Sequence, residues 1–278
     1  MAGAQHRFEP VAGKPMLLLL DIGNTHTHVG LASGKRLWPL GDIPTAGWSS
    51  GSASRRLRRL VGRAPVRAAS LCSVVPHATP RVREAVEGSW DLRAFVLTPR
   101  TVRGVGINYP RPETIGPDRL ANAVAARHLF GAPGVVLDFG TAVTFDVVDR
   151  RGDYIGGIIA PGLAAMTTYL HEKTALLPRI RIREVRRSIG RSTEEAMLVG
   201  AVHGYRGLVR ELIGEIQREL GARRLPVVAT GGYAALIASA LPEISAVRPQ
   251  LTLEGLRLVW ENHAHPFRED TRHSGESL

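Results

Sequence analysis

One cysteine, three lysines and few aromatic residues set the first limits on this 278-residue chain. Cys72 has no second cysteine to pair with. That excludes a disulfide scaffold and a cysteine-cluster zinc site, and it fits a reducing, cytoplasmic compartment. Phe, Trp and Tyr make up 5% of the residues, which leaves no evident base-stacking surface. The longest early apolar run, Met16 to Leu20, is far short of the roughly 20 residues of a membrane-spanning helix, so no membrane association is expected. The first fifteen residues lack the apolar centre of a signal peptide. Neither Gly-x-x-x-x-Gly-Lys-Ser/Thr nor Gly-x-Gly-x-x-Gly occurs, so the P-loop and Rossmann readings lose ground.

The net charge of +11 would suit an anionic partner. Lysine occurs only at Lys14, Lys35 and Lys173, so arginine supplies 33 of the 36 basic residues. Such a skew reflects genome composition more than function, and nucleic-acid binding is not expected. With 44% hydrophobic and 22% charged residues the chain is globular, and its length suits two domains.

The body opens with a hairpin pattern, Met16 to Ser33, in which an apolar run ends in Asp21 and apolar residues resume at Val29. Ser54 to Gly62 suits a helix whose arginines face water. Val66 to Pro76 and Arg93 to Leu97 read as strands, with a helix over Pro80 to Glu87 between them. Thr98 to Pro117 is a Gly- and Pro-rich loop, long enough to suggest function. Asp118 to Phe130 reads as a helix, followed by three strands between Gly134 and Gly162 and a helix over Leu163 to Leu170. Ser192 to Leu220 is a long helical region with a capping start. Pro226 to Thr230 is a strand meeting a glycine turn, and a helix follows it. The segment between the first hairpin and Val66 carries no usable motif.

Two segments resemble each other, 17–31 (LLLLDIGNTHTHVGL) and 134–148 (GVVLDFGTAVTFDVV). Each ends an apolar strand in Asp, then has Gly and Thr, then re-enters an apolar strand. Asp138 lies 117 residues after Asp21 (138 − 21), about a domain length, so a duplicated domain is the economical reading. Glycine lets the backbone approach an anion, turn N–H groups can cradle it, and Thr25 and Thr141 add hydroxyls. Asp21 and Asp138 would act through a cation that bridges to phosphate. The alternative is two ordinary hairpin turns. Thr230-Gly231-Gly232 suits either close packing against a nucleotide or a plain strand–helix turn.

Paired Asp-x-Gly-Thr hairpins with a late Thr-Gly-Gly resemble the duplicated nucleotide-binding fold of sugar and acetate kinases, actin and heat-shock ATPases. The blocks at 21–25 (DIGNT), 116–126 (GPDRLANAVAA), 138–148 (DFGTAVTFDVV), 156–162 (GGIIAPG) and 230–232 (TGG) are similar, in order and spacing, to type III pantothenate kinases. The resemblance covers about residues 16 to 260. It implies an α/β fold of duplicated ribonuclease H-like (actin-like ATPase) domains with an interdomain nucleotide cleft. The expected division is a tail at 1–15, domains at 16–130 and 131–262, and a tail at 263–278. The stretch before Met16 is unusual for the family.

The same resemblance implies the site. Asp21, Ile22, Gly23, Asn24, Thr25, His26, Thr27 and His28 would form the first ATP loop, and Thr141 would contact ATP from the second. Asp138 would bind a monovalent cation, K⁺ or NH₄⁺, and Asp21 is the candidate for Mg²⁺. Tyr109, Gly116, Pro117, Asp118, Arg119 and Thr193 would meet pantothenate, with Asp118 as general base. A homodimer is implied. From the residues alone, Asp118 is equally a helix N-cap, Arg119 a partner for a nearby carboxylate, Tyr109 a packing residue and Thr193 a cap. His26 and His28 read as strand histidines rather than metal ligands. The rival functions are another kinase or phosphohydrolase of this fold, and a non-catalytic transcriptional regulator.

Overall fold

In a computed structural model of the chain, residues 14–264 are described. The chain divides into two compact units: residues up to Gly104 together with those from Leu253, and Val105–Thr252.

The first unit contains β1 (Met16–Ile22), β2 (His26–Ser33), β3 (Arg36–Pro44), α1 (Ser52–Val61), β4 (Val66–Ser73), α2 (Thr79–Trp90) and β5 (Phe95–Val96). Its sheet has the order β3-β2-β1-β4-β5. β2 runs antiparallel to β1 and to β3, whereas β4 runs parallel to β1 and β5 parallel to β4. Four consecutive leucines, Leu17 to Leu20, suit the central strand because both its faces are covered. Leu18, Leu20 and Ile22 share a core cluster with Leu57 and Val61 of α1 and Val82 and Val86 of α2. In α1, Ala53, Leu57 and Val61 are buried four residues apart, and its arginines are exposed.

The second unit contains β6 (Gly106–Ile107), α3 (Pro117–Phe130), β7 (Gly134–Phe139), β8 (Ala142–Val148), β9 (Asp153–Pro161), α4 (Leu163–Lys173), α5 (Thr193–Val199), α6 (Tyr205–Glu219), β10 (Val227–Thr230), α7 (Ala234–Ala238) and β11 (Ala246–Val247). Its sheet order is β11-β10-β7-β8-β9-β6. From β9 through β8, β7 and β10 to β11, the order and every strand direction repeat those from β3 to β5 in the first unit. The duplication read from the two Asp-x-Gly segments is therefore a duplication of whole sheets, each of the mixed α/β type of the actin-like fold. Val135, Leu137 and Phe139 of β7 share a core with Val209 and Ile213 of α6 and Ile237 of α7.

Several expectations shift. The boundary lies at Gly104/Val105, not after Phe130, because α3 packs on β7 and β8. All seven residues from Leu120 to Ala126 are buried, which explains the alanine-rich composition of α3. A final helix, α8 (Leu251–Ala264), occupies a segment for which the sequence suggested no element. All but its first two residues belong to the first unit, where it covers that sheet. Ser70 Oγ of β4 donates to Leu256 O at 3.3 Å, and the Phe95 ring of β5 meets Trp260 edge-on at 5.9 Å. The long helical region from Ser192 holds one π-helical turn, Gly200–Gly204, between α5 and α6. The two expected tails, 1–15 and 263–278, lie outside the described residues apart from 14–15 and 263–264. No helix among the described residues is long and apolar enough to cross a membrane.

Candidate active site

Asp21 and Asp138 are each the next-to-last residue of the central strand of their sheet. Carboxyl ends of central strands are where open α/β sheets present their ligand-binding residues. Asp21 lies level with His28 on β2 and Cys72 on β4, and Asp138 level with Thr144 on β8 and Thr230 on β10. The two carboxylates therefore hold equivalent stations in two copies of one sheet.

In the first unit, the turn after Asp21 is closed by Gly23 N–H donating to His26 O at 3.0 Å. Asn24, Thr25, His26 and His28 are exposed, whereas Ile22 and Thr27 are buried. Thr27 Oγ1 accepts from Trp48 Nε1 at 2.9 Å and lies 3.2 Å from Thr45 Oγ1. Thr45 Oγ1 in turn donates to Gly23 O at 2.7 Å, and its N–H donates to Thr25 O at 3.0 Å. The hydroxyl of Thr27 thus braces the turn from inside. His28 Nδ1 meets Asp42 Oδ1 at 2.7 Å, and this bond is the main cause holding the Asp42 carboxyl below its usual range. The buried Cys72 thiol donates to Asp21 Oδ1 at 3.3 Å.

In the second unit, Gly140 N–H donates to Ala142 O at 3.0 Å, and Thr141 at the tip is exposed. Gly162, which caps α4, lies so close that a Cβ there would fall 2.2 Å from Thr141 O. The Asn122 amide, 1% exposed, donates to Asp138 Oδ2 at 3.4 Å, while its own oxygen accepts from Thr252 Oγ1 at 2.9 Å. Gly231 has φ +89°, and a Cβ there would lie 2.7 Å from Asp138 Oδ1. Gly232 has open space where its Cβ would be.

Asp118 does not cap α3. The N-cap is Gly116, Pro117 follows, and Asp118 Oδ1 accepts from Arg119 N–H at 2.8 Å. Burial raises the Asp118 pKa, outweighing the Arg119 N–H bond and charge that lower it. Arg119 does pair with a carboxylate, one absent from the sequence-based candidates: its Nε donates to Asp146 Oδ1 at 2.5 Å. Arg119 Cζ also lies over the Tyr154 ring, 5.7 Å from its centroid, and Tyr154 meets Tyr109 edge-on at 6.1 Å. Burial lifts Asp146 to about 7 against the pull of Arg119, with Asp118 and Asp138 adding to the rise. Thr193 is not a cap either. Ser192 is, its Oγ accepting from Glu195 N–H at 3.2 Å, and Thr193 is exposed on the first turn of α5.

The second unit therefore gathers Tyr109, Asp118, Arg119 and Asp138 around α3, β7 and β9, and adds Asn122, Asp146, Tyr154 and Gly231. Asn122 lay unmarked in the block 116–126, one helical turn after Asp118. Asp146 lay in the block 138–148 as an acid inside an apolar strand, a signal that burial with a cation would have explained. Among the described residues, no group of three or more His, Cys, Asp or Glu has metal-holding geometry. Single carboxylates at strand ends fit oxygen-seeking cations that take most of their remaining ligands from phosphate, water or backbone.

The sequence model of type III pantothenate kinases matches residues 17–215. Relatives named type III pantothenate kinase include one from Methylacidiphilum infernorum, 47% identical over 88% of this chain and 88% of its own. Another, from Akkermansia muciniphila, is 48% identical over 87% of this chain and 97% of its own. Among solved structures, a Campylobacter jejuni protein ascribed to the Baf family of transcriptional activators shares the fold, with TM-score 0.54 at 16% identity over 89% of this chain and 99% of that one. With the family model spanning most of its length and relatives near half identity over nearly all of it, the chain belongs to the type III pantothenate kinase family.

Proposed function

We propose that the chain transfers the γ-phosphoryl group of ATP to the 4′-hydroxyl of pantothenate with Asp118 as proton acceptor. Family membership supports the reaction, which opens coenzyme A biosynthesis. The observation that carries the role of Asp118 is its carboxyl: partly exposed, not spent on capping, and one turn from the Asn122 that bonds Asp138. In the transfer, the 4′-oxygen forms a bond to the γ-phosphorus as the bond to the β,γ-bridging oxygen breaks. ADP departs, and the hydroxyl proton passes to Asp118.

Asp21 to His28 and Thr141 serve ATP in this reading. The exposed Asn24, Thr25, His26 and His28 and the turn N–H groups make contact, while Ile22 and Thr27 hold the loop. Asp21 would hold Mg²⁺ and Asp138 a monovalent cation, K⁺ or NH₄⁺. Each ion, when bound, would supply positive charge to phosphate oxygens. The start of α4, pressed by Gly162 against the Gly140–Thr141 turn, adds the positive end of a helix dipole. Tyr109, Gly116, Pro117, Arg119 and Thr193 contact pantothenate. A homodimer is supported by α4, which exposes Met166, Tyr169 and Leu170 on one face, and by Ile159, 65% exposed. The single buried thiol suits a cytoplasmic setting.

A panel of acceptors tests the substrate. Pantothenate yields a phosphorylated product by mass, whereas hexoses and acetate yield none; equal transfer to a hexose would refute the assignment. The pH profile tests the base. Asp118 must be ionised to accept a proton, and its raised pKa keeps the proton bound to higher pH than for an ordinary carboxyl. The value of kcat/KM therefore falls with decreasing pH, on a limb above the usual carboxylate range. That limb is missing from the residual activity of Asp118→Asn, and its persistence there would assign it to another group.

A further inference from the structure

We propose that Asp146 is a positioning residue that clamps one edge of the Arg119 guanidinium and leaves its other edge to take the substrate carboxylate. This rests on the reading above, in which Arg119 faces pantothenate. Asp146 is fully buried on β8, directly opposite Gly157 of β9. Its Oδ1 accepts from Arg119 Nε at 2.5 Å, and its Oδ2 from Thr144 Oγ1 at 3.4 Å. Arg119 Nη2 donates to Phe145 O at 3.3 Å. Those two bonds occupy the Nε side of the guanidinium. The other N–H groups have no protein partner among the described residues, and the side chain keeps 15% of its surface exposed.

An aromatic pair lies beside the guanidinium. The Tyr154 ring lies 5.7 Å from the guanidinium carbon, and Tyr109 packs on Tyr154. A Cβ at Gly157 would run into the backbone carbonyl of Phe145 and come within 2.8 Å of Arg119 Nη2, so glycine lets β9 lie close to β8 with the guanidinium beside it. At Gly156, with φ +131°, a Cβ would sit 3.4 Å from the Tyr109 ring. Gly156 thus lies against Tyr109, and Gly157 against Arg119 and the Phe145 carbonyl. The free end of a guanidinium is a planar, two-pronged donor that matches a carboxylate, and pantothenate carries one. A buried carboxylate that served only to balance Arg119 would affect folding and both substrates alike.

Steady-state kinetics of the full chain separates these roles. Wild type, Asp146→Ala, Asp146→Asn and Arg119→Ala are compared on pantothenate and on pantothenyl alcohol, which carries CH₂OH in place of the carboxylate. A misdirected guanidinium in Asp146→Ala raises KM for pantothenate at least about tenfold. KM for ATP and for the alcohol stays within about threefold. Asp146→Asn, which keeps an oxygen toward Nε, gives a smaller rise and decides the matter if the alanine variant does not fold. A wild-type ratio of the two acceptor KM values in Asp146→Asn, or equal rises for both acceptors, would overturn the proposal. If Arg119→Ala shifts the pantothenate KM while the Asp146 variants do not, only this inference fails. If Arg119→Ala also leaves it unchanged, the substrate-facing reading of Arg119 fails with it.

Discussion

Asp118→Asn lowers kcat for pantothenate by about 10²- to 10⁴-fold, the range supplied by a positioned general base. The magnitude follows from what the substitution leaves intact. Asparagine keeps an oxygen to accept the Arg119 N–H now bonded at 2.8 Å, so the start of α3 is undisturbed. Gly116 rather than residue 118 caps the helix, so no capping energy is lost. The two turns proposed to serve ATP lie on other elements, and ATP affinity measured by nucleotide titration changes by less than about threefold. Only the ability to take a proton disappears. A kcat within tenfold of wild type would show that the hydroxyl loses its proton elsewhere.

Gly231→Ala abolishes most activity, whereas Gly232→Ala does not. At Gly231 the backbone has φ +89°, and a Cβ would press within 2.7 Å of Asp138 Oδ1 and of the Phe139 backbone. The carboxylate is the softer of the two neighbours, so it moves. A left-handed conformation costs a non-glycine residue roughly 1–2 kcal/mol, and overpacking about 1–3 kcal/mol, so the variant also melts at lower temperature. If Asp138 holds the cation as proposed, displacing its carboxylate by about 1 Å costs on the order of 10² in turnover. The half-saturating K⁺ concentration rises with it. At Gly232 no atom of the described residues beyond its two chain neighbours lies within 4 Å of the added methyl, and turnover stays within about threefold of wild type. Equal behaviour of the two variants would detach Gly231 from the Asp138 site.

The duplication was legible because the central strands are buried on both faces and therefore spell uninterrupted apolar runs, each broken by one aspartate as the strand emerges. The edge strand β3 left no such trace. Half exposed, interrupted by Pro39 and with Gly41 at φ +132°, it lacks an alternating pattern. Helix α8 escaped notice for the opposite reason. Eight of its first nine residues are buried, so no polar stripe marks a period of 3.6. Candidate site residues were legible where Asp, Gly and Thr share a short turn. Asn122, Asp146 and Tyr154 act at a distance in sequence, Asp146 lying 27 residues from the arginine it holds. No local pattern announces a partner that only the β8–α3 packing supplies. Thr27 shows the converse: a residue of the Asp21–His28 motif whose hydroxyl is bound to Trp48 beneath the turn.

The most direct test of the account is ADP formation by the purified full chain with ATP and Mg²⁺, with and without pantothenate, in K⁺ and in Na⁺. ADP release is expected to depend on pantothenate and to be strong in K⁺ and weak in Na⁺, since Asp138 would hold the monovalent ion. Folded protein that releases no ADP on addition of pantothenate in either salt would contradict it.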